Sequence, residues 1–589
     1  MILSTPDRIR EMRLRGHWPD LQFDTLLRAN AARVPDREAI IDPPNRAAVC
    51  DGAPQRIDWR SLENAVERLA DNLAACGLAK DDVALIQMAN TWELLAVYLA
   101  CFRRGIIASP VPALYREHEL GYIIDHTSAK ALFTNRRIGK FDHARMAHGL
   151  RQAHDSLTHL LLLGPAERSA EPSAEHSSDG ASHRSADDYD TLDLGALLAA
   201  RQAFPAHAAA PVAEVCADEV VTIIWTSGSE GRPKGIPRSH AQWLASMATI
   251  ADACGMCDGV RLLSARPLST HGAMSGTIMP WLNRAGTAVL HQPFTLELFI
   301  QQLRDEQIGF TSIAPAILVS LLSEPQRLEG IDTQRLHTVG SGSAPLSPAV
   351  ISEFERRFGI RVVNFFGSTE GISLAATPDD IPAPELRATL FPRLGAGGFE
   401  WHYPSADMIE SRLVDPQTEL EITEPGRPGE LRMRGATIFD GYFNDPDRTR
   451  SAFDAHGYYR SGDLFEIAGD GGQYYRYVGR LKEIIVRGGF NVSSAEVENL
   501  VADYPGVKEV GVIGMPDERL GERICAFIAM HPGAAAPTQQ QLVDFLRNER
   551  HVASLKLPEK LIVLDALPRN ANTKIDKPRL RELLARETG

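Results

Sequence analysis

The run VVTIIWTSGSEGRPKG, residues 220–235, puts three hydroxyl side chains (Thr226, Ser227, Ser229), three glycines (Gly228, Gly231, Gly235) and Lys234 at the end of an apolar stretch with a buried-strand pattern. Glycines let backbone N–H groups turn toward an anion, hydroxyls add donors, and an ammonium adds a point charge. Such a loop suits a polyphosphate. It is not a G-x-x-x-x-G-K loop, because Pro233 stands where that pattern needs its second glycine. Taken alone, the same letters also describe a flexible turn with no ligand.

Other segments strengthen the phosphate reading. GSGSAPLS (340–347), NFFGSTEG (364–371), YRSGDL (459–464), GRLKEIIVRGGFNVSSAEVE (479–498) and LPRNANTKIDK (567–577) follow the glycine loop in that order. Together the six runs resemble the signatures of the acyl-adenylate-forming superfamily, which includes acyl-CoA synthetases, luciferases and peptide-synthetase adenylation domains. The resemblance covers nearly the whole chain and implies ATP as cofactor. It implies that the backbone at Gly342, Ser343 and Ala344 lies along the adenine. Phe366 would stack on that base, within a nucleotide-binding run that continues through Gly367 and Ser368. It also implies that Thr369 donates to the α-phosphate and that Glu370, a hard oxygen ligand, holds the Mg²⁺ that travels with ATP. Asp463 would accept from both ribose hydroxyls, a task suited to a carboxylate with its two acceptor oxygens. Arg480 would contact ribose and phosphate, and Lys482 would mark the hinge between two domains. Lys574 would be the catalytic lysine, bridging carboxylate, ribose and α-phosphate. Two departures stand out: Phe366 replaces the usual tyrosine and loses a hydroxyl, and Thr573 replaces the usual glycine before the lysine.

The chemistry so implied has a physical reason for each part. A carboxylate is a poor acyl donor because its leaving group would be oxide. Attack on the α-phosphate of ATP expels pyrophosphate and makes a mixed anhydride whose leaving group is AMP. Two anionic reactants must be gathered, so Mg²⁺ on Glu370, the Lys574 ammonium and the loop donors, Thr226 among them, have charge to neutralise. No protein nucleophile is needed, and Ser227 and Ser229 read as phosphate donors; no G-x-S-x-G elbow is evident. In the family a rotation of the small domain then withdraws the lysine and admits a thiol. Gly488 and Gly489 would line the channel for the pantetheine arm of coenzyme A.

PLSTHGAMSGTIMPWL (267–282) corresponds to the family's acyl pocket, with His271 as the gate beside the reacting carboxylate. Gly272, Ala273 and Gly276 follow, and no acidic residue stands there to receive a substrate amino group. An apolar pocket for an aliphatic, cyclic or aryl acid is expected. The runs 114–133 and 487–523 look closest to medium-chain fatty-acid and cyclohexanecarboxylate CoA ligases, which points to a medium-chain or alicyclic acid. One rival reading passes the acyl group to a separate carrier protein instead of coenzyme A; another is a non-catalytic nucleotide-binding scaffold.

These residues need a scaffold, and the pattern predicts α/β. Apolar spacing of three and four over 22–36 and 60–78 predicts helices, and VALIQMAN (83–90) and KALFTN (130–135) read as buried strands. Such alternation is the signature of a doubly wound α/β domain, and the resemblance implies that it forms a large N-terminal adenylation domain, residues 1–480. From 481 to 589 a strand–helix–strand series, a helix near 538–549 and the strand KLIVLDALP suggest a small mobile α+β domain. Residues 165–190 are polar, with no apolar period, and read as a disordered insertion.

With 589 residues and a net charge of −14, the chain has ample core and little generic attraction for nucleic acid. Seven scattered cysteines argue against a disulfide framework; the C-x-x-C at Cys254 and Cys257, within a helical-looking stretch, reads as two small buried side chains. No stretch reaches the roughly 18 apolar residues of a membrane span, and a cytoplasmic enzyme is expected.

Overall fold

The computed structural model describes residues 1–165, 191–204, 214–226, 233–342, 346–487, 490–517, 520–550, 552, 554–570 and 574–588. The polar insertion lies outside them, apart from Pro165. The chain packs as two compact units, 1–410 with 434–457, and 411–433 with 458–589.

The first unit is α/β, built on two large sheets. One runs in the order Lys234–Ser239, Val220–Thr226, Ile107–Pro110, Val83–Gln87, Ala131–Asn135, His159–Leu163, Thr191–Asp193. All its pairs are parallel except the first, a hairpin. Strands Val83–Gln87 and Ala131–Asn135 are buried throughout, as continuous apolar runs in a sheet covered on both faces must be. The other sheet carries Ser373–Ala376, Arg361–Gly367, Thr338–Gly342, Phe310–Ile313, Arg261–Ser264, Thr287–Leu290, Glu38–Ile41 and Arg56–Asp58. Its central strands are parallel, so their C-terminal ends, including Gly342 and Gly367, share one edge. Ligands of open α/β sheets bind outside such ends.

The expected helices form at Phe23–Arg33 and Trp59–Ala75. The helical stretch before the C-x-x-C stops at Ala253, where Gly255 takes a φ of +61°. Cys254 is buried there but Cys257 is exposed, so the reading of both as buried side chains holds for Cys254 alone.

In the second unit, residues 429–433 pair with Tyr459–Ala468, which pairs in turn with Tyr474–Arg480. These hairpins cohere before the chain reaches Lys482, which is why packing groups them with the C-terminal part instead of ending a unit at 480. Strand pairing sets these packing boundaries, and they do not coincide with the expected hinge at Lys482. Beyond them, Phe490–Ser493, Ile484–Arg487, Gly521–Met530 and Val507–Asp517 form a sheet in that order, with Lys560–Val563 parallel to Gly521–Met530. Val497 and Val501 of helix Ser494–Ala502 and Leu580 of helix Lys577–Thr588 bury apolar side chains in its cores. The helix expected near 538–549 is Gln539–Asp544 followed by a wider turn, Phe545–Glu549.

Candidate active site

Thr226 ends one strand and Lys234 begins the next, and the two are register partners across the hairpin. The intervening loop therefore leaves and returns at one place. Ser227, Gly228, Ser229 and Gly231 lie outside the described residues, as do Ser343, Ala344, Gly488 and Gly489. Gly342 closes its strand beside Phe365; a Cβ there would lie 2.5 Å from the Phe365 carbonyl oxygen, so glycine permits the approach.

Phe366 and Gly367 end the neighbouring strand, and the half-buried Phe366 ring tilts against Phe391 with centroids 5.9 Å apart. The chain then turns: the Ser368 N–H donates to the Ile372 carbonyl and the Gly371 N–H to the Ser368 carbonyl, both at 3.1 Å. Thr369 and Glu370 ride on this turn. Gly371 has a φ of +114°, and the Thr437 carbonyl and the Arg238 guanidinium occupy the space a Cβ would need.

Two residues that sequence reasoning missed tie these segments together. The Tyr442 hydroxyl donates to Glu370 Oε1 at 3.0 Å, and the Lys234 ammonium lies 5.0 Å from the centroid of the same ring. Tyr442 thus joins the base of the glycine loop to the acidic turn. The second is Arg238, fully buried in the strand that Lys234 begins. One of its Nη atoms donates to the Thr437 carbonyl. The other donates to the Thr369 carbonyl at 2.9 Å and approaches His271 Nε2 at 3.4 Å. Burial pushes the Arg238 pKa down to about 9, against the attraction of Glu370 and Asp440.

His271 opens the short helix His271–Ala273, whose N-cap Thr270 accepts from the Ala273 N–H. Its ring lies 5.1 Å from that of Trp243. His271 is half-buried, and burial first, then Arg238, holds its pKa well below the histidine range. The neutral imidazole accepts from Arg238, which favours the tautomer with the proton on Nδ1. Gly272 and Ala273 adjoin it, and a π turn, Met274–Ile278, carries Gly276. A Cβ at Gly276 would only just reach Ile250, 4.0 Å away.

Among the described residues no three His, Cys, Asp or Glu side chains gather into a metal cage. Glu370 is nonetheless a buried carboxylate with Tyr442 on one oxygen. A carboxylate has about four lone-pair sites, so it keeps capacity for a cation. The donor set fits Mg²⁺ arriving with a nucleotide.

In the second unit, the hairpin register sets Asp463 opposite Arg480, and Arg480 Nε donates to Asp463 Oδ1 at 3.1 Å. Asp463 is buried and its N–H donates to Ser461 Oγ at 2.9 Å, with Gly462 at a φ of +69° between them. Lys574 is exposed. Its N–H donates to Asn570 Oδ1 at 3.1 Å and its carbonyl accepts from the Asn570 N–H at 2.8 Å, closing the neck of the loop that bears it. Lys482 leads into the strand Ile484–Arg487.

Arg238 had a signal that went unused, a charge inside an apolar strand just after the glycine loop. Tyr442 had none: only folding brings it to Glu370.

The model of the AMP-binding enzymes matches residues 27–443, and that of the AMP-binding enzyme C-terminal domain matches 496–574. A Streptomyces carzinostaticus protein named 2-hydroxy-7-methoxy-5-methyl-1-naphthoate–CoA ligase is 29% identical, over 97% of this chain and 94% of its own. The medium-chain fatty-acid–CoA ligase of Escherichia coli K12 is also 29% identical, over 98% and 92%. The crystal structure of ATP-bound MatB from Rhodopseudomonas palustris superposes with a TM-score of 0.75 at 25% identity, covering 96% of this chain and 99% of that one. Among the described residues no helix is long and apolar enough to cross a membrane.

Proposed function

The chain belongs to the AMP-binding enzyme family, and from that premise we propose that it activates a carboxylic acid with ATP and transfers the acyl group to coenzyme A. The observation that carries this reading is the Lys234–Tyr442–Glu370 contact, which sets a cation for phosphate beside a carboxylate for the phosphate-bound metal. In the proposed site the loop from Thr226 through Ser227, Gly228, Ser229 and Gly231 cradles phosphates, and Glu370 holds Mg²⁺, which when bound neutralises phosphate charge. The segment Gly342–Ala344 and Phe366 take the adenine, Thr369 the α-phosphate, and Asp463 with Arg480 the ribose. The neutral His271 offers no charge to hold the acid by itself, so it orients the carboxylate without trapping it.

Lys574 then serves the first half-reaction, in which the acid attacks the α-phosphorus and pyrophosphate leaves. A pivot at Lys482 removes it for the second, in which a thiol attacks the acyl carbon and AMP leaves, with Gly488 and Gly489 along the thiol's path. The acid is apolar, of medium-chain or alicyclic type. The names of two relatives, a fatty-acid and a naphthoate CoA ligase, support coenzyme A as acceptor and an apolar acid as substrate. The enzyme is proposed to work in the cytoplasm.

Pyrophosphate release across a panel of alkyl, alicyclic and aryl acids, with and without coenzyme A, tests the reading. Release with an apolar acid and thioester with coenzyme A support it. Adenylate without thioester moves the acceptor to a carrier protein, and no release with any acid favours a nucleotide-binding scaffold.

A further inference from the structure

Three residues after Lys574, the chain enters the helix Lys577–Thr588, and its first side chain makes three polar contacts. Lys577 Nζ donates to Glu483 Oε2 at 2.7 Å and to Ser494 Oγ at 2.9 Å, and pairs with Glu498 Oε1 at 2.8 Å. All three donors of the ammonium are used. The Lys577 side chain is only 13% exposed, against 30% and 23% for the two carboxylates. The cluster is mostly enclosed and ties together three elements.

The elements are those the reaction cycle concerns. Glu483 directly follows Lys482, in the turn Leu481–Glu483. Ser494 and Glu498 belong to the helix that begins where the strand Phe490–Ser493 ends, and Glu498 also accepts from the Val512 N–H at 2.8 Å, which anchors it to the sheet. On the other side, Lys577 is linked to Lys574 by a stiff path. Asp576 accepts from the Arg579 N–H at 3.1 Å and its own N–H donates to the Pro568 carbonyl at 2.8 Å. Arg569 and Ile575 bridge as antiparallel neighbours, Arg569 pairs with Glu509 at 2.8 Å, and Asn570 closes the neck. Pro568–Asn570 and Lys574–Asp576 are therefore tied to one another, and Lys577 is where that assembly meets the chain beside Lys482.

We propose that Lys577 is a positioning residue, a clasp to Glu483 and Glu498 that makes the Lys574 loop turn as one body with the hinge segment. This rests on the reading of Lys574 as the adenylation lysine and of Lys482 as the pivot. Without the clasp the stem of the Lys574 loop stays on the sheet through Arg569 and Glu509, but the turn Leu481–Glu483 is no longer coupled to it, and misplacement of about 1 Å costs on the order of a hundredfold in a step that depends on alignment. Burial pushes the Glu498 carboxyl upward, opposed mainly by Lys577, so Glu498 gains from the ammonium as much as it restrains it. The second half-reaction does not use Lys574 and is indifferent to the clasp.

The test compares half-reactions in the full-length protein. For Lys577→Gln and, separately, Glu483→Gln, acyl-AMP formation is measured by pyrophosphate release and thioester formation by supplying synthetic acyl-AMP with coenzyme A. The expected result is a tenfold to hundredfold fall in kcat of the first, with KM for ATP within about twofold and the second reaction within about twofold. Lys577→Arg, which can still span two carboxylates, is expected to restore most of the loss. Equal loss of both half-reactions, or no loss in either, overturns the clasp. Lys574→Ala run in parallel separates the two levels: if it leaves adenylation intact, the lysine assignment fails, and if it alone abolishes adenylation, only the clasp fails.

Discussion

In the first unit the groups that gather around the acidic turn are enclosed. Arg238 is fully buried with both Nη atoms on backbone carbonyls, Glu370 is buried under Tyr442, and the His271 ring is desolvated. In the second unit Lys574 stands exposed on a loop closed at its neck, and Arg480 is exposed beside a buried Asp463. Buried dipoles and charges held by backbone cannot rearrange cheaply, so they suit a site that must be ready before the reactants arrive. A lysine on a stiff stalk suits a group that is delivered and withdrawn. The contrast says that the first unit stores its precision in desolvation and the second in the geometry of its connections.

That contrast can be broken at several points. The largest effect is expected from Lys574→Ala, which should lower acyl-AMP formation by about 10²- to 10³-fold, the scale of losing one preorganised transition-state charge. Thioester formation from supplied acyl-AMP should stay near wild type, and equal loss in both assays would refute a delivered lysine. Next, Arg238→Met leaves the Thr369 and Thr437 carbonyls without their donor, at about 1–3 kcal/mol for each buried group left unpaired. The first unit should become sensitive to protease at lower urea while the second keeps its resistance. A variant as resistant as wild type would show that Arg238 organises nothing.

A smaller change is expected from Tyr442→Phe, which removes one hydrogen bond to a carboxylate, about 1.5–3 kcal/mol at most and less where water replaces it. Its signature is a shifted Mg²⁺ dependence of pyrophosphate release, and an unchanged Mg²⁺ titration would argue against Glu370 as the ligand. The smallest effect is acid sensitivity. Burial holds His143, His271 and His291 below the usual histidine range and pushes His240 down to about 3. All four lie in the first unit, and their folded form is neutral. In the unfolded chain they protonate below roughly pH 6.5, so this stability is complete above that pH and is lost as pH falls below it. His531 of the second unit is exposed. Protection from hydrogen exchange, taken relative to the intrinsic rate at each pH, should therefore fall between pH 7 and pH 5 more in the first unit than in the second, and a uniform fall would count against this account.

Much of the site was legible because its parts are short and local. The glycines and hydroxyls of the proposed phosphate loop fall within a few residues of one another, and Thr226 and Lys234 at its two ends are register partners. Asp463 and Arg480 were read as partners of one ribose, and a hairpin register sets them face to face. What escaped was long-range. Tyr442 and Arg238 act on residues far away in the chain, and no local spacing could report that Thr437 would press against Gly371. The grouping of residues 429–433 with 459–480 was also hidden, since strand pairing depends on register across loops. Cys257 faces solvent because its helix ends at Ala253, where Gly255 turns the chain.

By itself the sequence determined the α/β class and the family, and it set out the residues proposed to take nucleotide and acid, because backbone donors, charge and stacking faces are properties of short runs. Only the tertiary structure decided that the acidic turn is clamped by Arg238 and Tyr442, that burial holds His271 below the histidine range, and that Lys577 joins Glu483, beside Lys482, to Glu498. Those are consequences of which side chains lose water together, and desolvation is set by packing in three dimensions.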